Sequence, residues 1–351
     1  MCRILPSWPE SNRDMLDNIL PEIVDRAREV FELRGEPEIR RIDTRRYSLS
    51  EVSRIELVSE DDSRVVYLKR TTVENTDEDP IKIDIATEYR ILDELYERFR
   101  SVPNLSVVRP VALLSGYNVI VTEEAPGPTL MTLVGRAVRR ISPASVVEAA
   151  AGYCGLAGRW LRHFQDITDR GPGEFDIDGL LCHCDVRLKS LMASGRTDVG
   201  AGFRDAVLRH LKTLAESVEP GANTIAGRHN DYSPHNIIAS GGGITVFDFG
   251  FFDTDSFAYD VYRFWHHLEC MKVSPIMSRR KVARLQESFL AGYGRPVDFA
   301  TPLFRLAACR FNLVRLHTLA KNPAATGPRG WIDRRLLARC HAWLAHDCGP
   351  I

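Results

Sequence analysis

The feature that most limits what this chain can become is a change of period near residue 126. Before it, short runs of β-branched and aromatic residues alternate with polar segments: Ile39, Ile42 and Tyr47, then Ile55 and Leu57, then Val65-Val66-Tyr67-Leu68. Such runs suit an antiparallel meander. After the turn signal Pro126-Gly127-Pro128 the pattern becomes mainly helical. Two helices are expected in the front part. Over 11–34, Met15, Ile19, Ile23, Ala27 and Val30 recur at helical spacing and Gly35 marks the stop. The second runs from about 81 to 100, followed by strands near 107–114 and 118–123. In the back part, Ile237-Ile238 and Ile244-Thr245-Val246-Phe247 flank Ser240-Gly241-Gly242-Gly243, which reads as a small hairpin. Strands first and helices after make an α+β chain. Its 351 residues exceed what one core usually organises. The expected organisation is a helical segment over 1–37, a sheet-bearing lobe over 38–125 and a helical lobe over 126–351.

The balance of 44% apolar and 26% charged residues excludes disordered, collagenous and coiled-coil classes. No apolar run approaches the roughly 20 residues that span a bilayer, so no membrane span is expected. The start, Met1-Cys2-Arg3-Ile4-Leu5-Pro6, lacks the apolar stretch of a secretory signal. Eight dispersed cysteines suit reduced thiols and a cytoplasmic location. The net charge of −1 hides a gradient: −7 over 1–100, −4 over 101–270 and +10 over 271–351. A basic face attracts nucleic acid, a membrane surface or a small anion. A solvated arginine-rich surface accounts for it more plainly, and no nucleic-acid partner is expected.

Chemistry concentrates in Arg228-His229-Asn230-Asp231-Tyr232-Ser233-Pro234-His235-Asn236-Ile237-Ile238, where an Asp and an Asn five apart precede a strand. Val246-Phe247-Asp248-Phe249-Gly250 adds a second carboxylate at the end of the next strand. Two carboxylates and an amide are hard oxygen donors, suited to Mg²⁺ that keeps some waters and binds phosphate. A carboxylate off the metal can orient a hydroxyl and take its proton during phosphoryl transfer.

The wording His-x-Asp-x-x-Pro-x-Asn-Ile followed by Asp-Phe-Gly resembles the aminoglycoside phosphotransferase and choline kinase superfamily. That resemblance implies a two-lobed, protein-kinase-like fold using ATP, with GTP possible, and Mg²⁺. It implies a small-molecule hydroxyl as acceptor, and a monomer or homodimer. Asp231 becomes the catalytic base, Asn236 and Asp248 the magnesium ligands, and His229 the brace of the loop. Asp260, inside the aromatic-rich stretch Phe257–Trp265, matches a further acidic position of the family.

The same fold requires a lysine in the sheet and a glutamate in the following helix. Lys69 ends the run Val65-Val66-Tyr67-Leu68. In the stripe 85, 88, 92, 95, 99 the polar member is Glu88. A carboxylate on a core face is costly unless a cation meets it, and Lys69 is the natural partner. Lys82 and Glu74 sit among polar residues that read as loop. Val119–Gly127 resembles the linker whose backbone holds adenine, which puts Glu124 and Ala125 beside the base. One departure stands out: the phosphate-covering stretch Tyr47–Ser53 holds no glycine. Its serines, Ser50 among them, would donate instead, and Glu51 would repel phosphate if turned inward. That gap leaves a nucleotide-binding regulatory pseudokinase as one rival. A kinase acting on protein side chains is another, disfavoured because no Ala-Pro-Glu follows Asp248.

Weaker groupings read as structural. Cys340-His341 with His346 and Cys348 lack familiar zinc spacing, Cys182-His183-Cys184 reads as helix with buried thiols, and the aromatics of 251–265 read as core. Should Arg305, Arg310, Arg315 and Lys321 line the substrate cleft, a sugar or anionic metabolite fits better than a cationic antibiotic.

Overall fold

The computed structural model describes residues 10–47, 49–60, 62–72, 84–321 and 326–347. Ser48, Glu74, Lys82, Cys348 and the opening Met1–Pro6 lie outside the described residues, as do the side chains of Met15 and Ile42. The front of the chain forms α1 (Glu10–Phe31), β1 (Glu38–Arg46), β2 (Ser50–Val58), β3 (Ser63–Thr71), α2 (Ile85–Phe99), β4 (Leu105–Val107), β5 (Pro110–Leu114) and β6 (Val119–Glu123). There follow α3 (Leu130–Ala137), α4 (Ala144–Ile167), α5 (Ile177–Ser194), α6 (Ala201–Glu216), β7 (Ile225–Arg228), β8 (Ile237–Ser240), β9 (Gly243–Val246) and β10 (Asp253–Ser256). The chain continues with α7 (Ala258–Met271), α8 (Arg279–Tyr293), α9 (Pro302–Lys321) and α10 (Pro328–Asp347). Strands lead and helices follow, the α+β order expected. Among the described residues no helix is long and apolar enough to cross a membrane.

Contacts divide the chain into two units. The first comprises Met1–Pro128 together with Ile238–Phe252. Its main sheet runs β1-β2-β3-β6-β5, antiparallel throughout. Strand side chains alternate between faces. Ile55, Leu57, Val66 and Leu68 therefore join Ile19, Ile23 and Ala27 of α1 in one buried cluster. The opposite face carries two cross-strand pairs, Val52 with Lys69 and Arg54 with Tyr67. Helix α2 starts where Asp84 accepts the Ala86 N–H at 3.0 Å. It buries Ile85, Glu88, Leu92, Leu95 and Phe99, the expected stripe, with Ile91 added.

A second sheet, β4-β9-β8, explains why the unit is discontinuous: β9 pairs in parallel with β4. The linear boundary at 125/126 misses this, because no local periodicity announces a pairing between strands so far apart in sequence. The expected hairpin over 237–247 is present as β8 and β9. Gly127 stands at φ +123°, and a Cβ there would come within 2.7 Å of the Ala239 carbonyl, so the Pro-Gly-Pro turn needs its glycine.

The second unit comprises Thr129–Ile237 and Asp253–Ile351. Leu188, Leu211, Leu313 and Leu344 belong to the cluster formed by α5, α6, α9 and α10. Of the aromatic run, Tyr259, Tyr262 and Phe264 are core, with Phe264 stacked on Phe289 at 4.1 Å, whereas Phe251, Phe252, Phe257 and Trp265 are half-buried. Of the two thiols expected inside α5, Cys184 is buried but Cys182 is exposed. Helices α4 and α8 approach through glycines. A Cβ on Gly158 would stand 2.1 Å from the Phe289 carbonyl, and one on Gly292 would stand 2.0 Å from that of Gly155. Helix α4 also carries Trp160, which stacks on Tyr232 at 5.4 Å.

Adding a methyl group at a closed crossing costs about 1–3 kcal/mol. Gly158→Ala is expected to lower the melting temperature by about 2–4 °C per kcal/mol lost. A thermal denaturation curve checks this, and an unchanged midpoint would show that the two helices separate freely.

Candidate active site

In the first unit three charged side chains come together. Lys69 Nζ, near the end of β3, donates to both Glu88 oxygens at 3.0 and 3.1 Å and also to Asp248 Oδ1. Glu88 is only 2% exposed, so a cation beside it is a requirement of burial. Burial by itself would push the ammonium down, but the charges of Asp248 and Glu88 outweigh it and hold Lys69 above the ordinary lysine range. Lys69 therefore stays protonated. Asp248 follows β9 at φ +69°, a left-handed backbone that Asp tolerates better than most residues, with the buried Phe249 next to it as anchor. Its side chain is 33% exposed, and its carboxylate oxygens are of the hard kind that Mg²⁺ prefers.

The nucleotide-binding expectations fare unevenly. Glu124 does not offer its N–H to a base: the amide donates to Val65 O at 2.8 Å, because the ladder runs one residue past β6. Its carboxylate takes two hydrogen bonds from Arg54, at 2.9 and 3.0 Å, and one from Tyr67 at 3.0 Å. These contacts hold the Glu124 carboxyl below its usual range, Arg54 first among the causes. Ala125 follows as half-buried backbone. Ser50 opens β2, and its carbonyl accepts the Tyr47 N–H at 2.8 Å, closing a tight turn where a glycine loop was sought. Glu51 is buried on the α1 side of the sheet, opposite to Lys69, and meets Arg46 at 3.0 Å.

In the second unit, β7 leads into the segment His229–Asn236. The N–H groups of His229 and Asn230 both donate to Asp260, at 2.6 and 3.0 Å. Asp260 lies in the first turn of α7 and is 1% exposed; burial raises its carboxyl, against the opposing pull of His229. His229 is fully buried, with its ring edge-on to Tyr232 at 5.9 Å. Tyr232 donates to Ala157 O at 2.7 Å and fixes the loop from below. Asp231 Oδ2 accepts from Asn236 Nδ2 at 3.1 Å, and Oδ1 accepts from Arg263 Nη2 at 2.6 Å. With Nδ2 turned to Asp231, Asn236 retains its amide oxygen as a hard donor.

Arg263 is the residue that sequence reading missed. It lies inside the aromatic stretch that supplied Asp260, three positions later and so on the same helical face, which was the available signal. The four basic positions expected along the tail do not act together. Arg305 pairs with Asp347 at 3.0 Å and Lys321 ends α9 exposed, whereas Arg310 donates to Asn230 Oδ1 at 3.3 Å. Steps of five and six residues place them on different helical faces. At the cysteine-rich end, Cys340 is core and His341 stacks on Phe203 at 4.9 Å, while Cys348 lies outside the described residues. His210, Cys309 and Asp347 do cluster, but the Arg305 guanidinium already neutralises that carboxylate.

Comparison with known proteins follows this geometry. Residues 57–304 match the model of the phosphotransferase enzyme family. No curated protein matches the sequence. Among solved structures, choline kinase LicA from Streptococcus pneumoniae is similar at 12% identity and TM-score 0.56, covering 94% of this chain and 99% of its own. A thermostable mutant of aminoglycoside phosphotransferase APH(4)-Ia gives 13% identity and 0.53, covering 91% and 99%. Amicoumacin kinase hAmiN, in complex with AMP-PNP, Ca²⁺ and Ami, gives 15% and 0.54, covering 95% and 98%. At such identities the likeness is one of fold, and the fold is the two-lobed, protein-kinase-like one. With its family model matched over most of its length, the chain belongs to the phosphotransferase enzyme family.

Proposed function

We propose that this chain transfers the γ-phosphoryl group of ATP, bound with Mg²⁺, to a hydroxyl of a small molecule. Family membership supports a small-molecule phosphotransferase. The observation that carries the finer reading is Lys69 joined to both Glu88 and Asp248. A buried lysine–glutamate pair adds little stability compared with apolar residues of the same volume. Its value lies in fixing one positive charge on the sheet face, where a triphosphate needs it.

Each residue then has a defined task. Lys69 neutralises the phosphates and Glu88 holds its ammonium in place. Asp248 and the amide oxygen of Asn236 would hold magnesium, which supplies charge neutralisation at the β- and γ-phosphates when bound. Asp231 accepts a hydrogen bond from the acceptor hydroxyl and takes its proton as the oxygen attacks the γ-phosphorus. The bond to the bridging oxygen breaks and ADP leaves. Asn236 and Arg263 each hold one oxygen of Asp231, so the base has a fixed orientation. The pseudokinase alternative rested on the glycine-free turn. The repulsion feared there is absent, because Glu51 faces away from Lys69 and is paired with Arg46.

Removing a general base costs about 10²–10⁴ in rate. Asp231→Asn is expected to lower kcat by that factor while calorimetry shows Mg·ATP affinity almost unchanged. An Asp231→Asn protein that turns over at the wild-type rate would overturn the base assignment. A wild-type protein that consumes no ATP with any member of a pooled panel of hydroxylated metabolites would overturn the phosphotransferase reading.

A further inference from the structure

Two loops of the second unit, 138–143 and 274–278, join at the edge where α4 and α8 begin. Arg139 pairs with Met277 in an antiparallel bridge, the Arg140 N–H donates to Ile276 O at 3.1 Å, and the Ser278 N–H to Val138 O at 2.7 Å. Lys281 Nζ donates to the carbonyls of Arg139, Arg140 and Ser142, at 2.8, 3.0 and 2.6 Å. All three ammonium hydrogens are thus spent on holding the joint. Arg284 meets Glu148 at 2.6 Å and ties the second turns of the two helices together.

This joint presents two things to solvent. The first is apolar. Ile141 is 91% and Ile276 59% exposed, the highest values for large apolar side chains among the described residues, and Val146 adds 39%. Single exposed apolar residues are ordinary, but these stand together on loops whose backbones are bonded to each other. The second is charge. Arg136, Arg139, Arg140, Arg279 and Arg280 are all exposed, and among the described residues none of the five has an ion-pair partner. No acidic residue occurs over 129–147 or 270–286. The first acid on α4, Glu148, is taken by Arg284, and the first on α8, Glu287, lies about 10 Å along the axis from Arg280. Neither helix has an acid in its first turn, although a helix N-terminus carries partial positive charge and favours anions. Arg279-Arg280-Lys281 therefore adds cations where the backbone is already positive. The fold uses Lys281; it leaves five guanidinium groups and two isoleucines unused.

We propose that this joint docks on an anionic membrane surface, with Ile141 and Ile276 entering between the headgroups and the five arginines held by lipid phosphates. Charge decides against a second copy of the chain, which would bring five more arginines against these five. A nucleic acid would satisfy the arginines, but aliphatic tips offer no ring on which a base can stack. An anionic leaflet takes both. Its surface potential makes each arginine worth about a fivefold gain in partitioning, and its interface admits apolar side chains to a depth of about 5–10 Å. None of these residues holds Asp231 or Lys69, so the docking surface goes beyond the phosphotransferase reading and does not depend on it.

Co-sedimentation of the full chain with vesicles tests it, using pure phosphatidylcholine and phosphatidylcholine mixed with phosphatidylglycerol. The chain is expected to pellet with the anionic vesicles, to stay in solution with the neutral ones, and to be released as added salt screens the charges. Arg139→Gln combined with Arg140→Gln is expected to weaken partitioning about 25-fold. Ile141→Ser combined with Ile276→Ser should weaken it about tenfold or more. Exposed substitutions of this kind change stability little, and an unchanged melting temperature verifies the fold of each variant. Should the first arginine pair fail to fold, Arg279→Gln with Arg280→Gln makes the same test. The proposal is overturned if the chain ignores anionic vesicles, if it binds neutral ones equally, or if the isoleucine variant binds as tightly as the parent. Retention of duplex DNA without any binding to vesicles would assign the arginines to nucleic acid and overturn it too. Absence of ATP turnover would strike the phosphotransferase reading and leave these measurements standing.

Discussion

A protonated amine held between two carboxylates, Lys69 with Glu88 and Asp248, is the interaction on which the first unit depends. It ties three separate elements together: a central strand, the helix that follows, and the loop after β9. Two of the three partners would be costly in that position alone. Glu88 without a cation is a buried charge, and Lys69 without its carboxylates would drift towards neutrality. The pairing also explains the discontinuity of the unit. Asp248 reaches Lys69 because β9 pairs with β4, which carries the segment around Asp248 back to the sheet-bearing unit.

The second unit solves a different problem, that of holding a polar loop still. Asp260 accepts two successive backbone N–H groups, and Tyr232 is clamped by Trp160 and the Ala157 carbonyl. Asn230 adopts φ +68° between them. Nearly every constraint on the Asp231 backbone thus comes from buried groups that take no part in chemistry. The side chain of Asp231, 33% exposed, is left to Asn236 and Arg263. A well-held backbone with a partly exposed carboxylate is what proton abstraction needs.

Much of this was legible in the chain. The 85, 88, 92, 95, 99 stripe exposed Glu88 because helical periodicity makes a polar residue on a core face conspicuous, and Lys69 followed from the lysine the resembled fold requires in its sheet, with charge balance in agreement. Asp231, Asn236 and Asp248 were visible because their spacing is local. What stayed hidden depends on long-range register or on side chains that neutralise one another. The β4–β9 pairing has no sequence period, and the capture of the Glu124 amide depends on the ladder running one residue past β6. Arg263 looked like an ordinary helix-face arginine, since nothing in sequence separates a guanidinium that is paired from one that is not. The basic tail illustrates the same limit. Its net charge of +10 was plain, but Arg305 meets an aspartate and Arg310 does not.

The central claim is that Asp248, beside the Lys69–Glu88 pair, binds the metal that accompanies the nucleotide. Calorimetric titration of ATP with and without Mg²⁺, into wild type and Asp248→Asn, tests it most directly. The account predicts that Mg²⁺ tightens ATP binding to the wild-type chain and has no such effect on the variant. Equal ATP affinity under all four conditions would contradict it.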